Sequence, residues 1–118
     1  SSPAARCQAT IQPLLEKSGL ESKTSKGLSQ DHYESSGKRA SAVVDKRVDK
    51  RTPSVLCSHG PVLPQLVMAA AQAGHGGSTQ ALQQAASLSV GSFSVLHFSR
   101  ETETPHIVAV ETHEAPTE

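Results

Sequence analysis

The order of apolar and polar residues along the chain predicts alternating helices and strands. Apolar side chains recur at helical spacing in four segments, the last about one turn long: 5–18, 38–50, 61–73 and 81–86. Gly19 favours the end of the first helix, and Thr52 with Pro53 ends the second. Pro13 is expected to kink the first helix from within. Three helices and a shorter helical turn are thus predicted.

The runs typical of strands are short. We predict a brief polar strand, a buried strand and an antiparallel hairpin, in that order: 20–25, 54–57, and 92–98 with 105–112. Residues 28–34 are expected to form a loop or a short helical turn, and residues 74–79 a flexible loop. Because β and α units alternate, we expect an α/β fold, with three α/β/α layers, a mainly parallel sheet and the C-terminal hairpin as its antiparallel edge.

Length and charge describe one globular domain. The 118 residues suffice for one domain and are too few for two, so we assign residues 1–113 to it and residues 114–118 to a polar tail. Eleven basic and eleven acidic residues cancel and are mixed along the chain, which gives no electrostatic basis for binding nucleic acid. The basic cluster at 46–51 is interrupted by Asp49 and predicts a solvated helix face. No apolar run approaches the roughly 18 residues of a membrane span, so no membrane partner is expected.

The two cysteines, Cys7 and Cys57, are too few for a disulfide framework, and their spacing matches no zinc motif. We expect buried, reduced thiols. Because such thiols suit a reducing compartment, the sequence favours a cytoplasmic protein.

His59 is the leading candidate for chemistry because of its place in the chain. It follows the predicted strand over 54–57 and precedes Gly60 and the third helix, at the sheet edge where α/β proteins bind ligands. The start of that helix would add free N–H groups and a partial positive charge, which suit an anion such as phosphate. Arg6, in the first turn of the first helix, would share that anion if the two junctions are neighbours. The alternatives are a core histidine bonded to backbone and a surface arginine.

Other polar residues give weaker signals. Asp31 and Glu34 lie in a loop near the presumed sheet edge, where one could serve as a proton donor or both could be solvated. Ser58 precedes His59 but lacks the G-x-S-x-G context of a serine hydrolase. The other five histidines share no spacing, and we assign them no role.

Two motifs resemble a known family. Residues 1–10, Ser-Ser-Pro-Ala-Ala-Arg-Cys-Gln-Ala-Thr, are similar to the S-S-P-x-x-R-x-x-x-T segment of the histidine phosphatase superfamily, also called phosphoglycerate-mutase-like. Residues 56–60, Leu-Cys-Ser-His-Gly, are similar to that family's second strand-His-Gly segment. In detail the chain resembles the phosphatase domain fused behind a Nudix (MutT-type) hydrolase domain in actinobacteria. The resemblance covers nearly the whole chain.

The resemblance implies a chemistry. In this family a nucleophilic histidine accepts a phosphoryl group as phosphohistidine, which water then hydrolyses, while two arginines and a second histidine stabilise charge on the phosphate oxygens without a metal. Arg6 would be the second phosphate-binding arginine and His59 the second histidine, with Gly60 beside it. The family's Arg-His-Gly segment, which carries the nucleophile, does not occur in this sequence. We therefore expect an incomplete phosphoglycerate-mutase-like fold whose missing N-terminal part is its main partner, and a chain that is inactive alone.

The resemblance also limits the function. Gln30 stands where many members carry an acidic proton donor, so Asp31 is the substitute. The complete protein is expected to hydrolyse phosphate esters or nucleotides, with no cofactor for the phosphatase part. An attached Nudix domain would require Mg²⁺ and would act on oxidised guanine nucleotides or dinucleoside polyphosphates. The alternative is a non-catalytic, degenerate module that binds a phosphorylated ligand or packs on a partner domain, which Gln30 slightly favours.

Overall fold

The computed structural model describes residues 1–29, 38–99 and 103–116, which combine helices and strands. The elements, in chain order, are α1 (Ala5–Ser18), a 3₁₀ helix (Lys26–Leu28), α2 (Lys38–Lys50), α3 (Leu63–Ala73), β1 (His75–Gly76), α4 (Thr79–Ala86), β2 (Phe93–Phe98) and β3 (His106–His113). This composition is compatible with the predicted α/β class.

The helices form where the apolar spacing predicts them. α1 continues through Pro13 and ends at Gly19, whose left-handed φ of 72° lets its N–H donate to the Leu15 carbonyl at 2.9 Å. α4 is confirmed and is longer than the predicted single turn. It begins at Thr79, and the Ser78 side chain caps this start by accepting the Ala81 N–H at 3.1 Å. α3 begins at Leu63 rather than at residue 61, after a turn at residues 60–62.

The sheet has the strand order β1-β3-β2. β2 and β3 pair antiparallel, from Phe93 opposite His113 to Phe98 opposite Ile107, which confirms the predicted hairpin. β1 pairs parallel with β3 for two residues, within the segment that the sequence predicts to be a flexible loop. A Cβ at Gly76 would lie 2.5 Å from the Ile107 carbonyl oxygen, so this close approach requires glycine.

Two predicted strands are not formed. Residues 20–25 and 54–57 have no strand structure, and Ser54 and Val55 are exposed rather than buried. Residues 20–25 make two backbone hydrogen bonds to Ser1, from the Ser25 N–H to the Ser1 carbonyl and from the Ser1 amino group to the Lys23 carbonyl, both at 2.8 Å. Residues 54–57 make one to the amino-terminal dipeptide, from the Ser2 N–H to the Cys57 carbonyl at 2.8 Å. These bonds do not continue along either segment as a ladder, so the strand prediction is wrong for both.

The core lies between α2, α3 and the 3₁₀ helix. Its buried residues are aliphatic and small: Leu28, Ala40, Val44, Val62, Leu66, Ala69 and Ala70. A groove of about 550 Å³ separates α2 and α3 from β2, with Leu56, Leu66 and Leu96 among its lining residues. α1 buries only Cys7, so this helix is attached to the body of the protein through its first turn.

The C-terminal tail has no regular structure over residues 114–116, where the Ala115 N–H donates to the Ser92 hydroxyl at 3.2 Å. Within the residues that the structure describes, no helix has the length and apolar content needed to cross a membrane.

Candidate functional site

His59 is held at the point where residues 54–58 lead into α3. Its side chain is 8% exposed. Its carbonyl accepts the N–H groups of Val62 and Leu63 at 2.9 and 3.2 Å, which forms the turn before the helix. On the other side, the Ser58 hydroxyl donates to the Leu28 carbonyl at 2.6 Å. The backbone around His59 is therefore fixed both to α3 and to the core.

Arg6 reaches His59 from the first turn of α1. The two residues are 53 positions apart in sequence, and Arg6 Nη2 lies 3.1 Å from His59 Nδ1. The Ser2–Cys57 backbone hydrogen bond holds the start of α1 beside the His59 segment. The structure thus brings together the arginine and the histidine that the sequence singles out.

Ser2 occupies the other edge of the imidazole. Its hydroxyl oxygen lies 2.8 Å from His59 Nε2, and the residue is completely buried. The same oxygen accepts the Ala4 N–H at 3.3 Å. Sequence reasoning assigned no role to Ser2, because the contact depends on a backbone pairing that no local pattern signals.

The two cysteines pack behind the histidine as free thiols. Cys7 is buried, and its Sγ lies 3.7 and 3.9 Å from the two ring nitrogens of His59, so it favours neither. Cys57 is half-buried, and its thiol donates to the Cys7 carbonyl at 3.5 Å. Burial, followed by the neighbouring Cys7, raises the pKa of the Cys57 thiol above its ordinary value. A neutral thiol adds no negative charge to the site.

The start of α3 offers fewer amides than the sequence predicts. Pro61 and Pro64 have no N–H, and the amides of residues 62 and 63 already bond to the His59 carbonyl. The Gly60 N–H has no hydrogen-bond partner within the described part of the chain, and a Cβ at Gly60 would meet nothing within 4 Å. The prediction of several free amides is therefore wrong, and Gly60 is the remaining donor next to His59.

Other sequence candidates lie elsewhere. Asp31, Gln30 and Glu34 fall outside the described residues. His97 and His113 are exposed on the hairpin and contact the Glu111 carboxylate at 2.5 and 3.3 Å. The hydrogen bond from His97 lowers the pKa of Glu111. These three side chains belong to the hairpin surface rather than to the Arg6–His59 site.

No group of three or more His, Cys, Asp or Glu side chains able to hold a metal occurs among residues 1–29, 38–99 and 103–116.

In comparisons with known proteins, no family model, no curated protein and no solved structure matches this chain. What the site offers chemically is a permanent cation at Arg6, the His59 imidazole in contact with it, and the Gly60 amide next to His59 in sequence, which has no hydrogen-bond partner within the described residues. Donors of this kind bind oxyanions.

Proposed function

We propose that this chain is part of a phosphohydrolase of the histidine phosphatase type, and that Arg6 and His59 bind the phosphoryl group. One observation carries the proposal: Arg6 Nη2 lies 3.1 Å from His59 Nδ1. Once His59 Nδ1 is protonated, both groups are donors, and donors this close can reach different oxygens of one tetrahedral anion. Phosphate is one of the anions that match the planar donor fork of an arginine, and a second donor beside it suits the further oxygens of a tetrahedral group.

The proposed roles follow from charge and geometry. The Arg6 guanidinium supplies a fixed positive charge and two N–H groups in one plane, which match two phosphoryl oxygens. His59, once protonated on Nδ1, donates to a third oxygen, and the Gly60 N–H, which has no hydrogen-bond partner within the described residues, is a further candidate donor. These donors stabilise negative charge that spreads over the phosphoryl oxygens in the transition state.

The covalent step uses a nucleophile outside this chain. An imidazole nitrogen attacks phosphorus, the N–P bond forms as the P–O bond to the leaving group breaks, and the leaving oxygen takes a proton from an acid, for which Asp31 is our candidate. Water then attacks phosphorus and gives a proton to the carboxylate left by that acid, and the N–P bond breaks to release inorganic phosphate and the free histidine. The chain alone lacks that nucleophile and is expected to be inactive.

We further propose that the missing N-terminal part completes a three-layer, mainly parallel sheet. Residues 20–25 and 54–57 already flank residues 1–2, through two backbone bonds on one side and one on the other, as neighbouring strands would. The groove of about 550 Å³ beside residues 53–56 and β2 leaves space for added chain. The complete protein would act on phosphate esters or nucleotides in the cytoplasm. Fused to a Nudix domain that requires Mg²⁺, it would hydrolyse oxidised guanine nucleotides or dinucleoside polyphosphates.

A non-catalytic module is the second candidate. The sequence carries Gln30 where a proton donor is expected, and this slightly favours binding without turnover. The two proposals agree on phosphate binding by Arg6 and His59 and differ only in hydrolysis.

Hydrolysis of p-nitrophenyl phosphate separates them. We expect the 118-residue chain to bind phosphate without turnover, and the protein extended upstream of Ser1 to hydrolyse the ester. His59→Ala should weaken binding in both and slow hydrolysis in the longer protein, whereas His97→Ala, on the hairpin surface, should change neither. Turnover by the short chain alone would contradict the missing nucleophile. Phosphate binding without turnover by the extended protein would select the non-catalytic module.

A further inference from the structure

The contacts of His59 assign the position of its proton. A guanidinium has only donors, so the nitrogen that faces Arg6 must be an acceptor with a free lone pair. That nitrogen is Nδ1, at 3.1 Å from Arg6 Nη2. A neutral imidazole carries its single proton on the other nitrogen, which here is Nε2. The Nε2–H group then donates to the Ser2 hydroxyl at 2.8 Å.

Ser2 is suited to hold this proton because it cannot move easily. The residue has no exposed surface, and its own N–H donates to the Cys57 carbonyl at 2.8 Å. Its hydroxyl oxygen also accepts the Ala4 N–H at 3.3 Å, so both lone pairs point to donors. The position of the oxygen is therefore fixed by the backbone on both sides of Ser2.

The neighbouring thiol cannot take over this role. Cys7 Sγ lies 3.7 Å from Nε2 and 3.9 Å from Nδ1, distances that distinguish the two nitrogens poorly. Arg6 and Cys7 of α1 are the titratable side chains in contact with the ring in the described part of the chain, and Cys57 precedes His59 by two residues. Of these groups, Arg6 donates a hydrogen bond to Nδ1, and the partner of Nε2 at hydrogen-bond distance is the Ser2 hydroxyl.

We propose that Ser2 is the positioning residue of the anion site: it accepts the Nε2–H of His59 and so keeps Nδ1 turned toward Arg6 and the anion. The proton on Nε2 stays bound to that nitrogen and is donated to the Ser2 oxygen. When an anion arrives, Nδ1 is therefore the nitrogen that gains a proton, and it donates this proton to the anion. The inference rests on the proposed phosphate site. It adds which nitrogen serves the anion and which residue decides that.

The test combines the nitrogen NMR shifts of the His59 ring with titration by inorganic phosphate. In the unmodified chain we expect the neutral ring to be protonated on Nε2. In Ser2→Ala we expect a mixture of the two neutral tautomers and a phosphate affinity about tenfold weaker, the effect of one lost buried hydrogen bond. Ser1→Ala is the matched control, because Ser1 is a buried neighbour whose hydroxyl donates to the Ser2 carbonyl at 2.8 Å. It should leave the His59 tautomer unchanged.

The outcomes separate this inference from the proposed function. A neutral ring protonated on Nδ1 in the unmodified chain overturns the role of Ser2, and this measurement needs no variant to fold. A folded Ser2→Ala with unchanged tautomer and affinity overturns it as well. If the unmodified chain binds no phosphate, the proposed function fails, and the tautomer of Ser2→Ala alone then decides whether Ser2 positions the ring.

Discussion

Leu28 connects the core to the site, and its truncation gives a stability prediction with a magnitude. The side chain is 1% exposed and belongs to the core between the 3₁₀ helix, α2 and α3. Leu28→Ala removes roughly three carbon groups at about 0.8 kcal/mol each, or about 2.4 kcal/mol of transfer free energy. A partly unfilled cavity adds to this, so we expect a loss of about 3 kcal/mol in the free energy of unfolding.

Urea denaturation followed by far-ultraviolet circular dichroism measures this loss, because the signal comes from the helices that the core joins. Leu20→Ala is the control: this leucine is 60% exposed, and its truncation should cost less than about 0.5 kcal/mol. The Leu28 carbonyl that accepts the Ser58 hydroxyl is retained in alanine, so folded Leu28→Ala should still bind phosphate. A loss below about 1 kcal/mol, or one equal to that of Leu20→Ala, would refute the placement of Leu28 in the core.

Three further predictions concern packing and titration. Gly27→Ala should destabilise the protein by about 1–3 kcal/mol in urea denaturation, because a Cβ there would lie 2.8 Å from the Arg39 carbonyl oxygen. Gly60→Ala is the control and should not be destabilised in this way, because a Cβ at Gly60 would meet nothing within 4 Å. Equal losses of stability in the two variants would contradict the crowding at Gly27. Hydrogen bonding from His97 lowers the pKa of Glu111, so NMR titration should place it below the ordinary value of about 4.3, and His97→Ala should raise it. Because the pKa of Glu111 is lower in the folded than in the unfolded state, the stabilisation from this pair is present above the ordinary pKa and is lost as the pH falls through the folded-state pKa. An unchanged Glu111 pKa in His97→Ala would exclude the pair. Burial raises the pKa of the Cys57 thiol, so its alkylation by iodoacetamide at pH 8 should be slower than in the urea-unfolded chain, and an equal rate would show that the thiol is not shielded.

The helices and the hairpin could be predicted because their signals are local. α1 needs only its own apolar spacing and the left-handed Gly19 at its end. The β2–β3 hairpin joins residues that are close in sequence. β1 was missed because two residues become a strand only through pairing with β3, about thirty positions later. The segments 20–25 and 54–57 failed as strands because their backbone bonds reach only residues 1–2 and do not continue as a ladder.

The site was predicted in part. Arg6 and His59 each stand beside the start of a helix, and that local context is visible in the sequence. The contact of His59 with Ser2 depends on the Ser2–Cys57 backbone bond, which no composition or spacing signals. The number of free N–H groups at the start of α3 was overestimated, because the two prolines have no N–H and the N–H groups of residues 62 and 63 bond to the His59 carbonyl.

Binding of inorganic phosphate to Arg6→Ala, His59→Ala and the double variant, measured by calorimetry, tests most directly whether both side chains hold one anion. Each single change removes a hydrogen bond to a charged group, so we expect each to weaken binding about tenfold or more. Because the two groups lie 3.1 Å apart, the double variant should lose less than the sum, by at least about 0.5 kcal/mol. Strictly additive losses, or unchanged affinity in either single variant, would contradict a shared anion.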